Sequence, residues 1–325
     1  MSILISWLWA LHTGATQGVL WGIMALGVYI TFRVLDFPDM TCDGSFVLGG
    51  SVSAVLVVVL GWNPYATLII AILAGCLSGA ITAFLHNKCK IPSILAGILT
   101  MTALYSINLR VMGKSNIPFI KTDTVVSLVK DILPQSIQGI RNYTVWVTLG
   151  IGLIFVALVI LCMYWFFGTE IGCTIRATGN NEDMVRALGE NTDKMKMLGL
   201  VIGNGLVALS GALVAQSQGY SDIQMGIGTI VAGLASIVIG EVVMSRVRTF
   251  KFRLISVILG SVIYRAIIAL VLQWGLKTTD LKLLTAIVVA LALTVPKLIA
   301  SKKAAAIAKA SVYNEEGADS NAEHK

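Results

Sequence analysis

The chain has 325 residues, of which 56% are apolar and only 13% charged, with a formal charge of +7 and a mean hydropathy of +0.84. An average soluble protein carries about 25% charged residues, so this composition excludes a disordered chain, a disulfide scaffold and an ordinary soluble enzyme. Long unbroken apolar runs, in place of ~10-residue alternating strands, also exclude a membrane β-barrel, and the basic excess reads as cytoplasmic loop charge rather than as a nucleic-acid surface.

The predicted fold is therefore an all-α, polytopic integral membrane protein. A spanning helix needs ~20 mostly apolar residues. Runs of that kind fall at 14–32, 45–61, 65–85, 91–109, 143–167, 198–219, 227–244, 254–275 and 281–297, which makes about nine spans. The second run is short and glycine-broken, and the eighth contains Arg265. The start, MSILISWLWALHTG, has neither a basic n-region nor a small-residue cleavage site, so no removable signal peptide is expected there. Five cysteines (Cys42, Cys76, Cys89, Cys162, Cys173) form no CxxC pair and read as small hydrophobes or free thiols.

Lys and Arg set the orientation. Lys88 and Lys90 follow the third run, Arg176, Arg186, Lys194 and Lys196 lie between the fifth and sixth, Arg246, Arg248, Lys251 and Arg253 between the seventh and eighth, and Lys297, Lys302, Lys303 and Lys309 after the last. All four clusters share one side, which the positive-inside rule makes the cytoplasm, with the N-terminus outside and the C-terminus inside. On this reading residues 1–300 form the transmembrane domain, 168–197 a cytoplasmic loop and 113–142 an extracytoplasmic one. Residues 301–325 form a polar tail, a short helix fraying into disorder.

Runs one to four and six to nine share a rhythm, a 4+1+4 inverted repeat around run five. In each set the second helix is rich in small residues: Asp43-Gly44-Ser45 leads into one, and Met225-Gly226-Ile227-Gly228-Thr229 into the other. Matching interrupted helices point to a transport path, whereas single glycines serve helix packing. No catalytic set is visible. The three histidines (His12, His86, His324) stand apart, and H-E-x-x-H and P-loop motifs are absent. No cofactor is expected on this chain. ATP-driven transport would require ATP and Mg on a partner subunit.

The stretch 168–199 is the most informative. Thr178, Gly179, Asn180 and Asn181 are turn or N-cap types, Glu182 and Asp183 suit a first helical turn, and Gly189 suits the stop. The expected helix spans 180–189, roughly 12 Å at ~1.5 Å per residue. Met184, Ala187 and Leu188 share one face, near Arg186. Such a knob fits a partner's groove or a solvated connector. Asp36, Asp39 and Asp43 crowd a short loop, wet or paired, with Asp43 placed to cap the helix that it precedes. Arg265 costs at least ~2.5 kcal/mol in mid-membrane, so it should face protein or water, with Glu241 and Asp222 as possible partners. Tyr105 sits deep in a run with Thr100 and Thr102 that either lines a polar passage or packs helices. Tyr29, Trp146, Trp165, Tyr220 and Trp274 fit an interfacial belt.

The segment Arg176-Ala177 through Ala187-Leu188-Gly189-Glu190-Asn191 resembles the cytoplasmic loop of the branched-chain amino acid and ribose permease family, the membrane subunits of bacterial ABC importers. Here Val185 stands where a small residue is usual, and Glu190 where isoleucine is. Gly203, Ser210-Gly211-Ala212, Gly219, Asp43-Gly44-Ser45 and Leu48-Gly49-Gly50-Ser51 continue the likeness. Leu35-Asp36-Phe37-Pro38-Asp39-Met40-Thr41-Cys42-Asp43 and Ile94 to Arg110 are similar to a tryptophan/tyrosine permease subfamily. The resemblance implies a type II ABC importer fold, a bacterial inner-membrane location and a second copy of the chain. It also implies two cytoplasmic ATPases, an extracytoplasmic solute-binding protein and an amino acid solute. The coupling residues would be Asn180, Asn181, Glu182, Asp183, Met184, Arg186, Ala187, Leu188 and Gly189. A translocation path would use Asp43, Gly44, Ser45, Thr100, Thr102, Tyr105 and Arg265. An ion-coupled secondary transporter, an importer of a nucleoside or sugar, and an intramembrane enzyme are the alternatives. Scarce intramembrane carboxylates weigh against the first and the absence of a catalytic set against the last.

Overall fold

A computed structural model describes residues 2–120, 122–132, 143–244 and 249–273, with 283, 285–287, 289, 290 and 294 beyond them. Arg246, Arg248, Trp274, His324, the lysines from Lys297 onward, most of the predicted span 281–297 and the tail 301–325 lie outside the described residues. Among the described residues, seven helices are long and apolar enough to cross a membrane, and an eighth, shorter apolar helix joins them.

Helix α1 (Ser2–Tyr29) starts well before the predicted 14 and runs on into a π-helical turn at Ile30–Val34. There Leu35 N donates to Ile30 O at 2.9 Å, and Asp36 turns the chain at φ 52°. Helix α2 (Thr41–Val58) is continuous, not broken at Gly49-Gly50. Helix α3 (Pro64–Asn87) opens with Asn63 as N-cap, its side chain accepting from Tyr65 N at 2.9 Å, and Pro64 at the first position. Helix α4 (Ser93–Met112) follows Pro92 and stops at Gly113, φ 66°. The segment predicted as an extracytoplasmic loop contains strand β1 (Asn116–Pro118) and helix α5 (Val125–Ile132).

Next come α6 (Tyr143–Phe166), α7 (Glu170–Asn180), the short α8 (Glu182–Ala187) and α9 (Thr192–Gln218). Strand β2 (Tyr220–Asp222) pairs antiparallel with β1, Ile117 opposite Ser221. Helices α10 (Thr229–Val243) and α11 (Phe250–Gln273) complete the continuous description.

Helix α9 is the axis of the bundle, buried along most of its length between α1, α2 and α3. Small residues permit this. A Cβ on Gly49 would strike the Ala208 backbone, and one on Gly211 would strike the Phe46 carbonyl, so α2 and α9 cross with their backbones in contact. Gly14, Gly18 and Gly22 form a second such stripe, on which α11 lies through Ala266, Val262 and Ile258. Ser261 Oγ donates to Gly18 O at 2.8 Å across that seam. The outer faces are bare and apolar. Ile69, Leu73, Leu77, Ile81 and Phe84 run along α3, and Ile154, Leu158, Leu161 and Trp165 along α6, all exposed. A water-soluble bundle does not leave such stripes uncovered, and a bilayer covers them.

Candidate functional site

The connector after α1 does not stay at the surface. Asn87 Nδ2 donates to Asp193 O at 2.7 Å, which fixes one end of α9 beside the end of α3. Eleven residues further along α9, roughly 17 Å at ~1.5 Å per residue, Asn204 Nδ2 donates to Asp39 Oδ2 at 2.6 Å. Asp39 is therefore fully buried inside the bundle, and α2 begins there. Of the three expected wet or paired acids, only Asp36 is exposed.

Asp39 does locally what Asp43 was expected to do: its Oδ1 accepts from Thr41 N at 2.9 Å. Asp43 instead lies within the first turn of α2 and serves a different helix. Its carboxylate accepts from Thr229 Oγ1 at 2.7 Å, Ile230 N at 2.9 Å and Gly228 N at 3.0 Å. Asp43 is thus the anionic cap of α10, 186 residues away, placed where the helix dipole favours negative charge. The starts of α2 and α10 meet at this one side chain.

Beside that junction lies a cavity of about 340 Å³ between α2, α4 and the turn that leads into α10. Asp43, Gly44, Thr102 and Tyr105 line it, with Met101, Asn108 and Ile227. Asn108 Nδ2 donates to Gly44 O at 3.2 Å, which leaves its buried Oδ1 without a partner among the described residues. Ser45 and Thr100 do not reach this cavity. Ser45 is buried against Ser78 and Asn204, 2.7 Å from each, and Thr100 bonds back to Ala96 O.

Arg265 lines a neighbouring cavity of about 290 Å³ on the other side of the same turn, with Tyr264 and Thr229. Neither expected acid meets it. Glu241 is bound to Arg33 at 2.8 Å, and Asp222 accepts from Asn116 Nδ2 and Gln224 N. The guanidinium lies over Trp21 instead, Cζ 3.5 Å from a ring centroid, and the indole face stabilises the charge.

Sequence reasoning missed the node of Asp39, Asn204, Ser45 and Ser78. Its visible signal was Asn204, an amide inside an apolar run. Gln216 gave the same signal: it bonds Ser53 Oγ at 2.8 Å and accepts from Val125 N at 2.9 Å, anchoring α5.

The coupling segment differs from expectation at its start. Thr178, Gly179 and Asn180 are the last turn of α7, not caps, and Gly179 packs on the Val34 carbonyl. Asn181 is the N-cap, its Oδ1 accepting from Met184 N at 3.0 Å. Gly189 ends the segment at φ 90°, and Asn191 caps α9. Helix α8 is pinned to α9 chiefly through Glu182, and Arg186 adds a bond to Thr192 Oγ1 at 3.2 Å. Glu182 binds Lys196 at 2.6 Å and Arg186 at 2.8 Å, and Thr192 donates to it at 3.0 Å. Burial alone would raise the Glu182 carboxyl, but Lys196, Thr192 and Arg186 together hold it below the usual carboxylate range. Val185 points inward at 2% exposure, while Met184 at 47% and Leu188 at 75% point out, with Asp183 and Ala187 also exposed.

The sequence from residue 10 to 294 matches the family model for the permease component of branched-chain amino acid transport systems. The chain belongs to this family. It is 44% identical over 274 residues, 84% of this chain and 87% of the relative, to the tyrosine transport system permease protein of Clostridioides difficile (strain R20291). It is 30% identical over 180 residues, 54% of this chain and 46% of the relative, to the autoinducer 2 import system permease protein LsrC of Salmonella typhimurium. Among solved structures it is similar to PsaBC from Streptococcus pneumoniae in complex with Fab, with 19% identity, 87% of this chain and 89% of that chain covered, and a TM-score of 0.47. This permease is a membrane component of a transport system.

Proposed function

We propose that this permease is the membrane-spanning subunit of an ATP-driven importer for an amino acid, of the aromatic class. Two copies would form the path, two cytoplasmic ATPases would drive it, and an extracytoplasmic binding protein would deliver solute. The observation that carries the solute is the 44% identity, over most of both chains, to a tyrosine transport permease. The cavity at Asp43 is compatible with it: Met101, Tyr105 and Ile227 supply apolar wall and Asn108 an open acceptor. In this reading α8 couples the subunit to its ATPase. Its exposed Met184, Ala187 and Leu188 enter the ATPase groove, and closure of the ATPases moves α7 and α8 between two packings of the bundle.

The test is uptake. Proteoliposomes holding the permease, its partner ATPase and its binding protein should accumulate labelled tyrosine or tryptophan only with ATP. Accumulation of a nucleoside or sugar in place of these sinks the solute assignment. ATP-independent uptake driven by a proton gradient would favour the ion-coupled alternative, for which Asp39 is the fully buried carboxylate among the described residues.

A further inference from the structure

The end of the bundle that carries α8 also holds a basic cavity of about 360 Å³, unconnected with the path described above. Three elements build it. The π-turn after α1 contributes Arg33, α7 contributes Arg176, and the first turn of α11 contributes Arg253, with Tyr29 and Phe250 as walls. Arg33 is paired with Glu241 at 2.8 Å. Among the described residues Arg176 and Arg253 make no ion pair, so the cavity keeps an excess of positive charge. Arg176 lies over Phe250, 5.1 Å from the ring centroid, and makes only a long bond of 3.5 Å to Phe167 O.

Arg176 and Phe250 are also the shared wall of a second cavity of about 360 Å³, lined by Tyr164, Trp165 and Phe167. Trp165 is 72% exposed at the end of α6, directly beyond the bare apolar residues Leu158 and Leu161. The basic cavity is therefore adjacent, across Arg176 and Phe250, to a second cavity at the aromatic edge of α6, a helix with a bare apolar outer face. Aromatic side chains of this kind sit at headgroup depth. A soluble anion would need only the arginines. A ligand that uses both the arginines and the aromatic shelf has an anionic head and an apolar body.

The geometry points to a binding site for the phosphodiester headgroup of an anionic phospholipid, held by Arg176 and Arg253 with the glycerol and upper acyl region against Trp165, Tyr164 and Phe250. Basic pockets between membrane helices bind such headgroups, and guanidinium groups match phosphate oxygens in geometry as well as charge.

Native mass spectrometry of the full-length permease in neutral detergent tests this, with phosphatidylglycerol or phosphatidylcholine added in equal amounts. Phosphatidylglycerol adducts should exceed phosphatidylcholine adducts at least fivefold. Arg176→Gln and Arg253→Gln should each lower the phosphatidylglycerol signal about fivefold, and the phosphatidylcholine signal should not move. Lys251→Gln, an exposed charge on the same turn of α11 but outside the cavity, should change nothing. Equal binding of the two lipids, or full phosphatidylglycerol binding by both arginine variants, overturns the site. Displacement of the lipid by millimolar inorganic phosphate makes it a site for a soluble anion and overturns the lipid assignment. Loss of ATPase co-purification without loss of lipid adducts shows a protein contact there and overturns it equally.

Discussion

At the scale of single residues, Asp43 bears the most. Three donors on the start of α10 converge on its carboxylate, and no cap of α10's own replaces it, since Gly228 offers no side chain. Asp43→Ala should destabilise the permease by about 1–2 kcal/mol, the usual worth of an N-cap, and it should loosen the cavity wall as well. A lower melting temperature in detergent together with reduced uptake is the expected pair of results. Unchanged melting would mean that water replaces the carboxylate. Arg265 makes a different claim. Trp21 stabilises its charge by cation–π contact, so Arg265→Lys should keep insertion and part of transport, whereas Arg265→Leu should insert normally and lose transport. Full uptake by the Leu variant removes Arg265 from the path.

At the scale of elements, the short helix α8 depends on Glu182. Its folded-state carboxyl is held below the ordinary value, so the pinning of α8 to α9 is present above the ordinary carboxyl pKa of ~4.3. It fades as pH falls through the lowered folded value. ATPase association should therefore hold at neutral pH and weaken only at pH below the ordinary carboxyl value, and Glu182→Gln should show the weakened state at pH 7. The exposed knob is tested separately. Ala187→Asp would place a carboxylate in a desolvated contact at a cost of a few kcal/mol. That is enough to lower ATPase affinity about a hundredfold, with insertion intact. Normal co-purification of this variant would falsify the coupling assignment. The same scale shows what a one-dimensional reading can hold. The spans near 65–85, 91–109 and 143–167 were legible because each is an unbroken apolar run of helix-spanning length, and the helices Pro64–Asn87, Ser93–Met112 and Tyr143–Phe166 occupy them. The cap Asn181 and the stop at Gly189 were legible from residue type alone. Gly49-Gly50 read as a break because its purpose, contact with Ala208 and Gly211 of α9, lies 159 or more residues away in sequence. The partner of Asp43 was hidden in the same way, and the start of α2 inside the bundle left no local mark.

At the scale of the whole molecule, the basic residues divide the bundle into two unlike ends. Lys90 and Arg186 line one cavity and Arg33, Arg176 and Arg253 another, and the bond from Asn87 to Asp193 puts the loop after α3 beside the coupling segment. The paired strands β1 and β2 lie at the opposite ends of α4 and α9. If the basic end is cytoplasmic, the native thiols report it without any new label. Cys89 and Cys173 are exposed at that end, Cys162 is exposed on the lipid face of α6, and Cys42 is buried. A membrane-impermeant maleimide should leave the permease unmodified in intact cells and should modify it in inverted vesicles. Cys89→Ser with Cys173→Ser should abolish that signal. Asn116→Cys, on β1 at the other end, should react in intact cells. Labelling of Cys89 from outside intact cells would reverse the orientation, and would place α8 on the side where an ATPase cannot reach it.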